Sequence, residues 1–229
     1  MIRPFDLKRR LAAEALGSAL LAAIVVGSGI MAQRLCGAPP GGDGLALLAN
    51  ALATGAGLLA LILAFGPISG AHFNPALSLA FLITGKLRRA HAGAYAAAQI
   101  LGALAGVLAT HAMFGLRLVQ ASLHARNGAA QLLSEAIGTF ALVLVILLGD
   151  RLDPRRVPYA VAGLVTAGYW FTASTFFTNP ALVLARSLTD TFSGIRPLDG
   201  PAFIALELVG AVLAAFAAKW FLRHTEEHP

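Results

Sequence analysis

Two asparagines carry the strongest chemical signal in this chain. Asn74 lies in Ser69-Gly70-Ala71-His72-Phe73-Asn74-Pro75-Ala76, and Asn179 in Ser174-Thr175-Phe176-Phe177-Thr178-Asn179-Pro180-Ala181. Each Asn-Pro-Ala triplet reads as a helix start: asparagine caps the helix, and proline is tolerated at the first helical position, where its missing N–H costs nothing. The amides can also donate hydrogen bonds to a solute oxygen, so each asparagine either caps only or caps and serves a passing solute. The apolar run after Asn74 lasts to about Thr84, and the run after Asn179 to about Asp190. A helix of the first length is roughly 16 Å long, about half of a ~30 Å hydrocarbon core. Two half-length helices in matching halves of an apolar chain point to a site at the membrane midplane.

The elements that must position these residues follow from composition. The chain has 229 residues, 58% hydrophobic and only 12% charged, against roughly 25% charged in soluble domains. With a mean hydropathy of +0.76, this is an all-α integral membrane protein. The pI of about 10.2 does not indicate nucleic acid, because the basic residues sit between apolar segments and are interleaved with no aromatic platform. Cys36 is the only cysteine, which excludes an intrachain disulfide and a multi-thiolate metal site. The first apolar segment is too long for a signal peptide and lacks a clear cleavage site, so it reads as a retained span.

Six full spans are expected, at about Leu11–Met31, Leu45–Phe65, Ala90–Met113, Gln131–Leu148, Val157–Ala173 and Pro201–Leu222. Gly37–Gly44 and Leu116–Gly128 read as irregular connections. With the N-terminus inside, twelve basic residues, among them Arg3, Lys8, Lys86, Arg155 and Lys219, fall on the cytoplasmic side and five, Arg34, Arg117, Arg126, Arg186 and Arg196, outside. That bias favours both termini in the cytoplasm. The two half-helices then enter from opposite faces and meet with their N-termini near the bilayer centre.

An internal repeat agrees with this plan. Glu14-Ala15-Leu16-Gly17 opens the first span and Glu135-Ala136-Ile137-Gly138 the fourth, each followed two spans later by Asn-Pro-Ala. The halves are 1–115 and 129–223, each three spans plus a half-helix, in inverted orientation within one membrane domain. Glu14 and Glu135 are costly in hydrocarbon and should face the interior with partners. A proton relay through them is disfavoured, because no second acidic or basic residue is expected at similar depth. The spans also offer no paired carboxylates, metal-ligand cluster or Ser/His constellation, so neither an enzyme nor a cofactor or metal site is expected.

These motifs resemble the major intrinsic protein family, the aquaporins and aquaglyceroporins. The resemblance runs from about Leu11 to Leu222 and rests on Ser69 to Ala76, on Asn179-Pro180-Ala181 and on the paired Glu14 and Glu135. It implies six spans and two re-entrant half-helices, a pore in each subunit, a homotetramer in the cell membrane, and water and small neutral solutes as partners. By the same resemblance Asn74, Pro75, Ala76, Asn179, Pro180 and Ala181 form the pore centre. Glu14 and Glu135 hold the re-entrant loops by accepting backbone hydrogen bonds, and His72 either lines the cytoplasmic vestibule or is a satisfied loop histidine. Two half-helix dipoles facing each other repel cations and favour a neutral hydroxylic molecule.

The departures from the family pattern concern the constriction. Most members carry arginine directly after the second Asn-Pro-Ala, where this chain has Leu182; Val183 stands where glycerol facilitators commonly carry aspartate. Gapless alignment assigns the other constriction positions to Thr54, Ala167 and Phe176, with Gly168 as the alternative to Ala167. Such a set is wider or more apolar than that of a water-selective channel. Arg186, one turn beyond Leu182, either replaces the missing arginine from a displaced position or snorkels to the outer interface. The second loop lacks the glycine usual before Asn179, so a different backbone path is expected there. The resemblance is to a divergent bacterial branch, and it implies a passive channel for water, glycerol-like polyols and metalloid hydroxides such as arsenous acid. The alternative is a secondary transporter with broken helices and alternating access.

Overall fold

The computed structural model describes residues 5–37 and 42–223. Arg3 and residues 38–41 of the expected Gly37–Gly44 connection lie outside the described residues. Helix α1 is Leu7–Cys36, started by Asp6, whose carboxylate accepts the Arg9 N–H at 2.8 Å. It ends at Gly37, whose φ of 64° suits a residue without Cβ. Helix α2 is Gly42–Ser69 and carries Pro67 in its last turn. The short α3, Pro75–Ile83, follows an extended segment, and Gly85 (φ 78°) turns the chain into α4, Arg89–Met113. Residues 114–128 are irregular, as expected.

The second half runs through α5 (Ala129–Leu152), a 3₁₀ turn (Pro154–Arg156), α6 (Val157–Phe171), α7 (Pro180–Arg186) and α8 (Gly200–Phe221). Among the described residues there is no strand. Five helices, α1, α2, α4, α5 and α8, are long and apolar enough to cross a membrane. The fifth expected span, Val157–Ala173, differs: α6 has 15 residues, a rise of about 22 Å. It ends where Thr172 leaves helical geometry (φ −109°, ψ 139°) and the chain turns inward, with the Thr172 hydroxyl donating to the Gly168 carbonyl at 2.7 Å. The second half-helix is also shorter than the apolar run suggests, seven residues ending at Arg186, because the Ser187 hydroxyl bonds the Leu184 carbonyl at 2.7 Å and closes its last turn.

The two halves pack on one plan. Helix α1 packs on α2 and α4, α5 packs on α6 and α8, and α2 against α6 joins the halves. The approach of α4 to α1 is close: the Ala15 and Ala19 carbonyls occupy the space a Cβ would need at Gly102 and Gly106, and the Ala136 carbonyl does so at Gly210 between α5 and α8. Small residues permit such contact where lipid gives helices no hydrophobic reason to associate. Helix α3 crosses to α8 and α5, and α7 to α4 and α1, so each half-helix is clasped by the opposite half. Leu101, Leu133, Leu213 and Phe216 are exposed on the outside of the bundle, consistent with a lipid-facing surface.

Candidate functional site

The segments before the two asparagines share one unusual backbone. Counting back from Asn74, Gly70, Ala71 and Phe73 have positive φ (95°, 50°, 49°); counting back from Asn179, Thr175, Phe176 and Thr178 do (61°, 60°, 48°). The positions correspond one to one. The different path expected for the second loop is therefore corrected: Thr175 adopts the left-handed conformation that Gly70 adopts freely. Each such non-glycine residue costs of order 1–3 kcal/mol and persists only where surrounding contacts hold it.

Carboxylates supply those contacts. Glu14 accepts the His72 N–H at 3.0 Å and the Ser69 hydroxyl at 2.6 Å through one oxygen, and the Phe73 N–H at 2.8 Å and the Gln99 amide at 2.7 Å through the other. Glu135 accepts Phe177 N–H at 3.1 Å and Thr178 N–H at 2.7 Å. Both carboxylates are fully buried, and each bonds the two amides that precede an asparagine.

The asparagines then meet. Asn74 accepts the Ala76 N–H at 2.9 Å and Asn179 the Ala181 N–H at 3.0 Å, capping α3 and α7. The Asn74 amide donates across to the Thr178 carbonyl at 2.7 Å, and the Asn179 amide to the Phe73 carbonyl at 2.9 Å. Each amide has two N–H donors, so one crosses between the loops and the second stays free. Both asparagines line a central cavity of about 70 Å³, room for a few waters. Pro75, Ala76, Pro180 and Ala181 stand behind them in the first turns of the half-helices.

Of the other expected site residues, His72, Thr54, Phe176, Leu182 and Arg186 also line this cavity. His72 Nδ1 lies 3.0 Å from the Ser78 hydroxyl, so the histidine is both satisfied and cavity-facing. Ala167 is not brought in: it is exposed on the outer side of α6. Gly168 is covered by the Phe176 ring, which fills the space its Cβ would take. The place opposite Thr54 belongs instead to Tyr169, whose hydroxyl lies 3.1 Å from the Thr54 hydroxyl. A shift of two residues turns a helix by about 200°, and that shift separates Ala167 from Tyr169.

Arg186 does not reach a lipid interface. It is 2% exposed, its Nε donates to the Ser193 carbonyl at 2.5 Å, and its guanidinium carbon lies 3.3 Å from the Phe177 ring centroid. It lines both the central cavity and a second, wider cavity of about 420 Å³ beyond it. Arg126, one of the five basic residues expected outside, lines that second cavity too. Its Nε donates to the Gly194 carbonyl at 2.7 Å, and its guanidinium lies over Phe177 at 5.0 Å. Burial lowers the Arg126 pKa, while the Glu135 and Tyr169 charges oppose the shift.

One buried acid was missed altogether. Glu207, on α8, is fully buried beside Glu135 and accepts the Asn179 N–H at 2.8 Å. The expectations of no paired carboxylates in the spans and of no second acid at this depth are therefore corrected. A signal was present: Gln99-Ile100-Leu101-Gly102-Ala103 on α4 is echoed by Glu207-Leu208-Val209-Gly210-Ala211 on α8.

Comparisons with known proteins agree with this geometry. The family model described as "Major intrinsic protein" matches residues 1–166. The aquaglyceroporin AqpS of Rhizobium meliloti is 52% identical over 222 residues, covering 97% of this chain and 94% of its own. The glycerol uptake facilitator protein-like 6 of Lactiplantibacillus plantarum is 32% identical, covering 76% and 84%. The X-ray structure of the aquaglyceroporin from Plasmodium falciparum superposes with a TM-score of 0.70 over 95% of this chain and 98% of its own, at 23% identity, and so shares the fold. With two Asn-Pro-Ala half-helices crossed at a central cavity, the chain belongs to the major intrinsic protein family of membrane channels for water and small solutes.

Proposed function

We propose that this chain is a passive facilitator of water and small uncharged solutes, glycerol-like polyols and neutral metalloid hydroxides such as arsenous acid, that excludes ions and protons. The observation that carries the reading is the lining around the crossed asparagines: Thr54, Tyr169, Phe176 and Leu182 face a cavity with no arginine directly after the second triplet. Leucine there leaves an apolar wall against which a polyol carbon face can slide while the free Asn74 and Asn179 N–H groups orient its hydroxyls. The two half-helix N-termini oppose cations at the same point. The name of the 52% identical relative, an aquaglyceroporin, supports the same reading.

The proposed setting is the bacterial inner membrane, with both termini cytoplasmic, 1–115 and 129–223 as inverted repeats, and four copies per assembly, each with its own pore. The alternating-access transporter would use the Glu135–Glu207 pair for ion coupling. Neither carboxyl lines the central cavity, and both are engaged by the backbone of the re-entrant segment, so the channel reading is preferred.

Stopped-flow light scattering on proteoliposomes tests it, comparing water entry with glycerol entry under matched gradients, alongside arsenous acid uptake. Rapid solute flux, linear in gradient and indifferent to ion gradients, is expected. Fast water with negligible solute flux would sink the solute-facilitator reading, and saturable, ion-driven uptake would restore the transporter.

A further inference from the structure

The two halves hold their re-entrant segments with matching parts, except at one position. In the first half Glu14 on α1 is met by Gln99 on α4, and three residues after Gln99 comes Gly102, packed against the carbonyl of Ala15, the residue after Glu14. In the second half Glu135 on α5 is met by Glu207 on α8, and three residues after Glu207 comes Gly210, packed against the carbonyl of Ala136, the residue after Glu135. Glu207 thus stands where the repeat puts Gln99. Gln99 does there what an amide can do and a carboxylate cannot: its Nε2 donates to Glu14 at 2.7 Å.

We infer that Glu207 is a positioning residue held as a neutral carboxylic acid, donating its proton to the Glu135 carboxylate while accepting the Asn179 N–H. The hydrogen bonds say which acid keeps the proton. Glu135 accepts one backbone N–H on each oxygen, from Phe177 and Thr178, so both of its oxygens are already satisfied as acceptors. Glu207 accepts Asn179 N–H on Oε1, and its Oε2, fully buried, has no partner. A buried oxygen without a partner beside a carboxylate is where a proton belongs, since two adjacent carboxylates in a low-dielectric interior cannot both ionise cheaply. The pair thus bonds three consecutive amides, Phe177, Thr178 and Asn179, of a segment in which Thr178 is left-handed.

The charged groups that face the pair from neighbouring elements are two arginines. Helix α7 brings Arg186, engaged with the Ser193 carbonyl and Phe177; the connection before α5 brings Arg126, which faces Glu135. Helix α3 and residues 172–179 contribute no titratable group, and Asp150 and Arg151 lie about four turns along α5 from Glu135.

Three proteins in proteoliposomes test the inference: the wild type, Glu207→Gln and Glu207→Ala. Glutamine restores the Gln99 arrangement, so Glu207→Gln should keep water and glycerol flux within about twofold of wild type. Glu207→Ala leaves the Asn179 N–H without an acceptor and should lower both fluxes about fivefold or more. The infrared difference spectrum of wild type minus Glu207→Gln at neutral pH should contain the C=O stretch of a protonated carboxylic acid. Absence of that band overturns the inference, and so does a loss in Glu207→Gln as deep as in Glu207→Ala. The inference rests on the channel reading only through the flux arm: a wild type without flux would sink that reading alone, and the infrared band would still decide the proton.

Discussion

At the residue scale, hydrogen-bond arithmetic sets the crossing of the two asparagines, and the proposed selectivity turns on what Leu182 leaves out. Both asparagines use their oxygen to cap their own helix and one N–H to grip the opposite loop. Leu182 sits one turn inside Arg186 on the same cavity wall. Leu182→Arg would place a second guanidinium within a turn of the first and narrow the opening. Glycerol and arsenous acid permeability should fall by about tenfold, roughly 1.4 kcal/mol of added barrier, while water permeability falls less, as stopped-flow on the variant would show. An equal loss of all fluxes in well-folded protein would take Leu182 out of the filter. The asparagines were legible in the sequence because capping is local: the triplet states its own geometry. The residue that faces Thr54 across the cavity was not. Helix α6 is apolar on nearly every face, so no period marks which side turns inward, and Tyr169 rather than Ala167 emerges only once α2 supplies Thr54. Glu207 escaped for a different reason, since its role depends on a partner 72 positions earlier in the chain.

At the element scale, the two re-entrant segments are one device built twice from different residues. The first uses Gly70 at its outermost left-handed position, and the second uses Thr175, a β-branched residue at φ 61°. Such a residue pays steric energy that glycine avoids. What Thr175 returns is slight, since its hydroxyl lies 3.4 Å from the Arg126 guanidinium. Thr175→Gly should therefore stabilise the protein by about 1 kcal/mol, read as a higher midpoint in thermal unfolding of the detergent-solubilised protein. No gain would show that the Arg126 contact offsets the strain. The presence of both half-helices was readable from Asn-Pro-Ala and run length, but their ends were not: α7 stops at Arg186 through a side-chain bond at Ser187 that apolarity does not encode.

At the scale of the whole molecule, the proposed sidedness rests on the charge distribution at the two ends of the bundle. Lys86, after α3, bonds Asp150 near the end of α5 at 2.5 Å, and Lys86, Arg151 and Lys219 surround one cavity at that end. Being half-exposed, this pair is worth at most about 1 kcal/mol, but it gathers the basic ends of both halves on one face. The opposite end is tied by Arg34 to the Phe114 carbonyl at 3.0 Å, by Arg126 to Gly194 and by the Arg196 N–H to the His124 carbonyl at 2.7 Å. Excess lysine and arginine on short segments mark the cytoplasmic side, so the Lys86 face should be inside and the Arg126 face outside. The sole cysteine gives a direct measurement. Cys36 ends α1 at the Arg34 end, is partly exposed, and lines neither pore cavity. A membrane-impermeant maleimide applied to intact spheroplasts should label it, and Arg155→Cys in a Cys36→Ser background should be labelled only after permeabilisation. The reverse pattern would invert the topology. Because Cys36 stands clear of the pore, its labelling should leave water flux unchanged, so the same sample reports sidedness and an open channel together.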